Sequence, residues 1–319
     1  MGMLAKIRRH AAIASGNFAS IFKDAEIPPL PAAVTRLITE INQPDPDIDK
    51  LVKLISSTTG IAAKVMKTVN SSLFALRKPV ANVKHAIMLL GMSNIRSIAL
   101  AYATMDALPK PRGNLFDHEA FWTDSLLQAM LSRSFSKRKY KEQMEDVFTA
   151  SLLADVALPI LLCVWQEYYE PIIMEWRQTS KRLSEIEREH FGWDHAQAGA
   201  WIAQSWEFPE EMVCYVGAHN LSWEKICEHK LEDTVVVPLA ATAVSSSVLK
   251  PDSQSAQALF NAAAVWLSMT STEFVDCLNE VKDSFVEILG LFDLPERNAG
   301  VILNDLIAIA NSVGQGERP

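Results

Sequence analysis

Glycine and cysteine are both scarce in this chain, and neither is arranged as a motif. Only 12 of the 319 residues are glycine, which is about 4% against the ~7% usual in proteins. This shortage, together with few alternating apolar runs, favours helices over strands. The four cysteines (Cys163, Cys214, Cys227 and Cys277) form no Cys-x-x-Cys pair. Their spacing is typical of reduced, partly buried thiols in a cytosolic protein.

Several function classes are excluded by missing motifs. The sequence has no glycine-rich phosphate loop, no Gly-x-Ser-x-Gly nucleophile turn and no His-Glu-x-x-His zinc helix. It has no run of 18 apolar residues, and the basic N-terminus is followed by too short an apolar stretch for a secretion signal. The net charge of −8 gives no support for binding a phosphate backbone. We therefore expect a cytoplasmic protein with no membrane span and no nucleic-acid partner.

Helical periodicity begins after the proline-rich segment at 27–31. Val34, Leu37, Ile38 and Ile41 fall at i, i+3, i+4 and i+7, which places them on one helix face. Similar stripes recur to residue 106, with Gly91 ending one helix and Ser93 capping the next. The pattern predicts an N-terminal segment at 1–20 and a five-helix subdomain at 21–108.

A linker at 109–115 separates this subdomain from a second helical region at 116–245. Here helices are expected near 118–138, 143–158, 160–178, 183–190, 195–206 and 210–219, with Pro159 dividing the central stretch. Asp194 and Gln197 form a capping-box pattern. The strand-like run Val235-Val236-Val237 is predicted to begin a helix. Residues 246–319 are predicted to hold three more helices (254–268, 271–290 and 295–312) and a disordered tail.

A series of short motifs runs through the first 245 residues in a recognisable order. They are Ile27-Pro28-Pro29-Leu30-Pro31, Val69-Asn70-Ser71, Ala86-Ile87-Met88-Leu89-Leu90-Gly91, Trp122-Thr123-Asp124-Ser125, Leu152-Leu153-Ala154-Asp155, His195-Ala196-Gln197-Ala198-Gly199-Ala200, Trp206-Glu207-Phe208-Pro209 and Ala218-His219-Asn220. In order and spacing the chain resembles the HDOD family, the HD-related output domain of bacterial signalling proteins. The resemblance implies an all-α, HD-domain-like helical bundle with the N-terminal five-helix subdomain packed on it.

The departures from a metal-dependent HD phosphohydrolase bear on activity. The resemblance places histidine at the positions of Asp124, Ala154 and Asn220, and aspartate near Ala241, where this chain has other residues. A two-metal hydrolase needs several histidine and carboxylate ligands around ions ~3.5–4 Å apart, and alanine supplies no donor. We therefore expect no enzyme activity, no catalytic residue and no cofactor. Asp155, His195, His219 and Asp124 remain weak metal-ligand candidates.

Asp155 itself needs a partner, because it lies in an apolar run and a buried unpaired carboxylate is costly. His219 and His195 are the candidates. One interpretation is an Asp–His hydrogen-bonded pair in the core. The other is a ligand or residual ion site formed by the same residues.

Two further groups are candidates for binding a ligand or a partner. Asn70-Ser71 is either a helix end with Asn in the left-handed conformation, or a contact between subdomains or with a partner. The basic run from Arg133 to Lys141 is either a solvated helix end or a phosphate or nucleotide site. Its candidate side chains are Arg133, Lys137, Arg138 and Lys139.

The function implied by the resemblance is a non-catalytic regulatory role in bacterial signal transduction. It would act through contacts with other signalling proteins, with ligand sensing as an addition. A residual metal-dependent phosphohydrolase and a nucleotide-binding sensor are the two alternatives. The sequence does not indicate the oligomeric state.

Overall fold

Every regular element in the described part of the protein is helical. The computed structural model describes residue 18, residues 29–43, 45–111, 115–179, 181–243 and 253–296, and most of 303–312. These residues form sixteen α-helices and two short 3-10 helices, with no strand. The all-α class expected from the sequence is confirmed. Most of the predicted N-terminal segment, the centre of the predicted linker and the predicted disordered tail lie outside the described residues.

The first five helices form the N-terminal subdomain. They are α1 (Ala32–Ile41), α2 (Ile48–Ser57), α3 (Thr59–Val69), α4 (Val83–Leu90) and α5 (Met92–Ala107). The α1 stripe is buried as its spacing predicts. Asp47 caps α2 by accepting hydrogen bonds from two backbone amides of its first turn. The subdomain therefore follows directly from local sequence signals.

The start of α5 differs from the sequence expectation. Ser93 was expected to cap a helix beginning at Asn94, but the helix begins at Met92 and Ser93 lies inside it. Gly91 has a φ of 91°, a conformation that glycine adopts without a Cβ clash. The chain can therefore turn at this single residue, and no polar cap is used. Ile95, Ile98 and Tyr102 of α5 are then buried at the centre of the subdomain.

Nine helices form the region that we call the HD-like subdomain. They are α6 (His118–Lys139), α7 (Met144–Leu152), α8 (Ala157–Val164), α9 (Gln166–Gln178), α10 (Leu183–Phe191), α11 (His195–Ser205), α12 (Glu210–Ala218), α13 (Trp223–Glu228) and α14 (Val236–Ala243). The 3-10 helices are Lys141–Gln143 and Glu232–Thr234. Most of α6 from Ala120 to Ser136 is buried, so this helix is the axis of the subdomain.

The break in the central apolar stretch was placed at the wrong residue. Pro159 was expected to divide it, but the helices separate at 153–156, before the proline. Pro159 is the third residue of α8, where proline is tolerated because its missing N–H would have no helical partner. The capping box of Asp194 and Gln197 at the start of α11 is present as expected.

The C-terminal helices pack across both subdomains. They are α15 (Ser253–Leu267) and α16 (Ser271–Leu291), and the expected helix at 295–312 lies only partly within the described residues. α16 contacts α6 and α3, and α5 contacts α7. These helix contacts cross the predicted boundary between the two regions, and the division into separate domains remains a prediction.

The stretch Lys141–Val164 is long and apolar enough to cross a membrane by composition alone. In the fold, however, 78% of its most apolar window is buried inside the protein. It also consists of two helices, α7 and α8, separated by a turn. These features are those of a core segment.

Candidate functional site

Three chain segments converge on Asp155, which lies in the turn between α7 and α8. His195 is the first residue of α11, and His219 follows the last residue of α12. Gly199 allows these segments to approach, because a Cβ at this position would lie 3.0 Å from Val216 Cγ1 and 3.5 Å from the backbone oxygen of Ala154. The close packing of α11 against α12 and the turn therefore brings one carboxylate and two imidazoles together.

The carboxylate of Asp155 lies between the two histidine rings. Its Oδ1 atom is 3.1 Å from His195 Nε2 and 3.2 Å from His219 Nε2. One potential ligand atom from each of the three residues lies within 4.8 Å of the others. Both histidines are buried, whereas the Asp155 side chain is 18% exposed. The sequence named both histidines as candidate partners, and the structure places both beside the carboxylate.

The other ring nitrogen of each histidine is engaged by the surrounding protein. His195 Nδ1 is 2.5 Å from Glu187 Oε2, and His219 Nδ1 is 2.6 Å from the carbonyl oxygen of Val216. Because a carbonyl oxygen and an ionised carboxylate only accept hydrogen bonds, both Nδ1 atoms are assigned as donors. Both Nε2 atoms therefore face Asp155.

Glu187 extends this network into the core. Its Oε2 atom also accepts a hydrogen bond from the His195 amide (2.9 Å), and its Oε1 atom accepts one from Tyr169 Oη (3.0 Å). Glu187 is fully buried. A fully buried carboxylate is stable only when its oxygens are hydrogen-bonded in this way. Glu187 therefore fixes the orientation of the His195 ring.

The mutual contacts shift the pKa values of the interacting groups. Burial opposes the charged form of Asp155, but the adjacent imidazoles of His195 and His219 hold the pKa of this carboxyl well below its usual range. Burial likewise opposes a charged His195, but Glu187 and Asp155 together raise its pKa well above the usual value. Burial, reinforced by Glu187, raises the pKa of Tyr169 well above its ordinary value. The site as a whole therefore favours positive charge between its two carboxylates.

A cavity of about 150 Å³ opens beside this cluster. Its wall also carries Arg182, whose Nη2 atom donates a hydrogen bond to the Ala241 carbonyl oxygen (3.2 Å). Asp124, Gln128 and Asn220 line the polar part, and Asn220 Nδ2 is 3.0 Å from His195 Nε2. The remaining wall is mainly apolar and includes Phe116, Phe121, Leu158, Leu162, Ile173 and Trp176. The cavity is therefore polar on the side of Asp155 and apolar on the remaining side.

The residues present do not fit a two-ion centre. Ala154 is buried and offers only a methyl group, and Ala241 likewise offers no side-chain ligand. Within the described ranges, the group that could hold an ion consists of Asp155, His195 and His219. This set is smaller than the ligand set that a two-ion hydrolase uses.

Asn70 and Ser71 make contacts that are largely local. Asn70 exchanges two hydrogen bonds with the backbone of Val80, and Ser71 Oγ donates to the Thr68 carbonyl oxygen. Asn70 has a φ of −89°, so the left-handed conformation expected there is wrong. The helix end is instead stabilised by the side-chain amide, which pins the following loop. A partner-binding role for Asn70 and Ser71 remains a prediction.

The basic run from Arg133 to Lys139 faces other parts of the protein. The expected solvated face is wrong at Arg133, which is buried because its guanidinium pairs with Glu145 Oε1 (2.8 Å). Lys137 pairs with Glu280 of α16, and Arg138 contacts Cys277 Sγ in the same helix. Lys139 donates to the Trp266 carbonyl oxygen. Lys137, Arg138 and Lys139 therefore join α6 to the C-terminal helices. A role of the basic run in phosphate binding remains an untested prediction.

The sequence interpretation missed Glu187 and Arg182. Glu187 lies four residues after Leu183 and next to Ile186, both of which are buried. A glutamate on the apolar stripe of an amphipathic helix is a signal for a buried, paired carboxylate. Arg182 has no such signal, because only the fold brings it to the cavity.

The protein is thus an all-α, HD-like helical bundle in which Asp155, His195 and His219 cluster beside a cavity. Residues 27–221 match the HDOD domain family, and the chain belongs to this family. It is also 20% identical over 198 residues to an uncharacterised protein of Treponema pallidum (strain Nichols), a match that covers 61% of this chain and 38% of that relative.

Solved structures of low sequence identity share the fold. An HDOD domain protein of unknown function from Geobacter sulfurreducens aligns with a TM-score of 0.66 at 19% identity, covering 90% of this chain and 98% of that one. A protein of Shewanella amazonensis SB2B, provisionally described as a phosphohydrolase, gives 0.59 at 22% identity and 96% coverage of both chains. A provisionally described signal transduction protein of Marinobacter aquaeolei VT8 gives 0.60 at 18% identity, covering 91% and 66%.

Proposed function

We propose that this chain is a non-catalytic regulatory module of bacterial signal transduction, acting in the cytoplasm by binding other signalling proteins. The observation that supports the proposal is the small number of possible metal-ligand side chains beside the cavity. Asp155, His195 and His219 supply three donors, while Ala154 and Ala241 supply no side-chain donor. A phosphohydrolase of the two-ion type needs ligands for both ions. The family membership and the Marinobacter neighbour support a signalling role.

The surface of α4 supports binding to a protein partner. Met88 and Leu89 are 69% and 54% exposed, the most exposed apolar pair on adjacent residues in the described chain. Lys84 and His85 lie one turn earlier on the same exposed face. Methionine is frequent at binding surfaces because its flexible, polarisable side chain adapts to different partners. We call these four residues the α4 surface.

The nucleotide-sensor alternative receives less support from the dimensions of the cavity. Ligand pockets for drug-sized molecules have volumes of roughly 300–1,000 Å³. The cavity beside Asp155 has about 150 Å³, enough for a group the size of a benzene ring. The basic run near residue 137 is already paired within the protein. Both observations favour a ligand smaller than a nucleotide.

Activity assays test the non-catalytic part of the proposal. Purified protein is incubated with bis(p-nitrophenyl) phosphate and with cyclic dinucleotides, in the presence of Mn²⁺, Fe²⁺ or Ni²⁺ in turn. We expect no turnover above that of Asp155→Ala. Metal-dependent turnover that the Asp155→Ala variant lacks would overturn the proposal in favour of a residual phosphohydrolase.

Site-specific crosslinking tests the partner-binding part. A photoreactive amino acid replaces Met88 in cells of the source bacterium, and a matched control carries it at Val265, which is 68% exposed on α15. We expect position 88 to crosslink to a defined signalling protein, and the adduct to be lost in Leu89→Asp. Equal crosslinking from both positions, or none from position 88, contradicts a role for the α4 surface.

A further inference from the structure

We infer that Asp155, His195 and His219 bind a single divalent transition-metal ion that serves structure or sensing rather than hydrolysis. This inference does not depend on the identity of any partner protein. The donor set of two imidazoles and one carboxylate is typical of Zn²⁺ and of non-haem Fe²⁺. It is unsuited to Mg²⁺ or Ca²⁺, which prefer six or more oxygen ligands.

The spacing of the donor atoms fits one ion. Metal–ligand bonds of about 2.0–2.2 Å place neighbouring ligands roughly 3.0–3.5 Å apart for angles between 90° and tetrahedral. The Asp155 Oδ1 atom lies 3.1 Å from one Nε2 atom and 3.2 Å from the other. The three donor atoms all lie within 4.8 Å of one another, so one ion could bind them after the two histidine rings move closer together.

The surroundings hold both histidines in the orientation that metal binding requires. Metal-binding histidines usually donate their second ring N–H to a carboxylate or a backbone carbonyl, which leaves the other nitrogen free. His195 has Glu187 in this position and His219 has the carbonyl oxygen of Val216.

An unsatisfied buried nitrogen points to a missing ligand. His219 is 2% exposed, and its Nε2 atom makes no hydrogen bond of good geometry although Asp155 is close. A buried polar atom without a partner is rare and costly. A metal ion would use this lone pair directly.

The charge of the site also matches a divalent ion. Asp155 and Glu187 bring two carboxylates, and a histidine that binds metal through Nε2 while donating from Nδ1 is neutral, so the histidines of an occupied site add no positive charge. Arg177 and Arg182, which line the cavity, donate hydrogen bonds to backbone carbonyl oxygens. One divalent ion balances both carboxylates, which removes the main cost of burying them. The cavity beside the cluster leaves room for a further small ligand on the ion.

The test measures metal directly in protein without a histidine tag. The protein is stripped with a chelator, given Zn²⁺ or Co²⁺ separately, desalted and assayed for metal content. We expect one ion per chain, visible d–d absorption with Co²⁺ and a rise in melting temperature with Zn²⁺. The site variants Asp155→Asn and His219→Gln should bind at least 100-fold more weakly. Glu187→Gln should bind about 10- to 100-fold more weakly, as expected for loss of a residue that orients a ligand.

A control variant removes a histidine elsewhere. His190 pairs with Glu175 at the surface, so His190→Gln should bind metal as the wild type does. Circular dichroism verifies that each variant is folded. The inference is overturned if the folded wild type retains no ion, or if Asp155→Asn and His219→Gln bind normally. Two ions per chain with phosphoester hydrolysis would overturn both this inference and the proposed function, whereas no ion would overturn the inference alone.

Discussion

The N-terminal and HD-like subdomains bury polar side chains in different ways. Among the described residues of α1–α5, Glu40 is the one buried acidic or basic side chain, and the other buried polar groups are hydroxyls such as Thr68, which pairs with Tyr102 (2.7 Å). The described part of the HD-like subdomain buries seven acidic or basic side chains. They are Asp124, Arg133, Glu145, Glu187, Asp194, His195 and His219.

This difference indicates where chemistry and recognition are located. Burying charge lowers stability unless each group is paired, and such groups persist mainly where they have a role beyond packing. The HD-like subdomain therefore holds the site, while the N-terminal subdomain has an aliphatic core and presents its notable feature, the α4 surface, to solvent. Substitutions in the two regions should accordingly differ in kind.

The largest expected effect is at Glu187. Glu187→Ala removes the acceptor of three hydrogen bonds and leaves Tyr169 and His195 unsatisfied in the core. We expect a loss of about 3–5 kcal/mol in the free energy of unfolding, measured by urea denaturation. The matched variant Glu40→Ala should lose only about 1 kcal/mol, because the side chain of its partner Lys50 is 61% exposed. Similar losses in the two variants would contradict the contrast between the subdomains.

The next largest effect concerns the buried pair Arg133–Glu145, which joins the subdomains because the Arg133 guanidinium lies 5.2 Å from the ring centre of Phe74. Burial raises the pKa of Glu145, which means that burying its negative charge lowers the stability of the folded protein. Glu145→Leu alone leaves a buried cation and should lose about 3 kcal/mol. The double variant Arg133→Met/Glu145→Leu should recover most of that loss, as a double-mutant cycle in urea would report. Additive losses would show that the two charges do not act as a pair.

Alanine substitutions at two helical glycines should have smaller effects on stability, and the two effects should have opposite signs. Gly199→Ala places a methyl group 3.0 Å from Val216 Cγ1 and should destabilise the protein by about 1–2 kcal/mol. It should also weaken Co²⁺ binding, because α11 and α12 carry the two histidines. Gly60 in α3 has no atom within 4 Å of an added Cβ, so Gly60→Ala should stabilise the protein by about 0.5–1 kcal/mol. A stabilising Gly199→Ala would show that the helices can separate without cost.

The sequence predicts the elements of this fold better than it predicts the surroundings of the site. Stripes, caps and Gly91 depend on neighbouring residues, so α1, α4 and α11 follow from local rules, and both histidine partners of Asp155 were proposed from the sequence. The apolar stripe of α10 indicates that Glu187 is buried, but neither its partners nor the pairing of Arg138 with α16 could be derived in this way. They depend on which helices pack together.

The smallest effect on stability is expected at the α4 surface. Met88 and Leu89 make little contact with the rest of the protein, so Met88→Ser/Leu89→Ser should change the free energy of unfolding by less than about 0.5 kcal/mol. Val265→Ser, an exposed control on α15, should behave in the same way. If both melt like the wild type but only the α4 variant loses its partner, the surface recognises a protein and the core does not depend on it. A loss above about 1 kcal/mol in the α4 variant alone would instead mean that these side chains stabilise the fold, and the contrast between a structural core and a recognition surface in this subdomain would no longer hold.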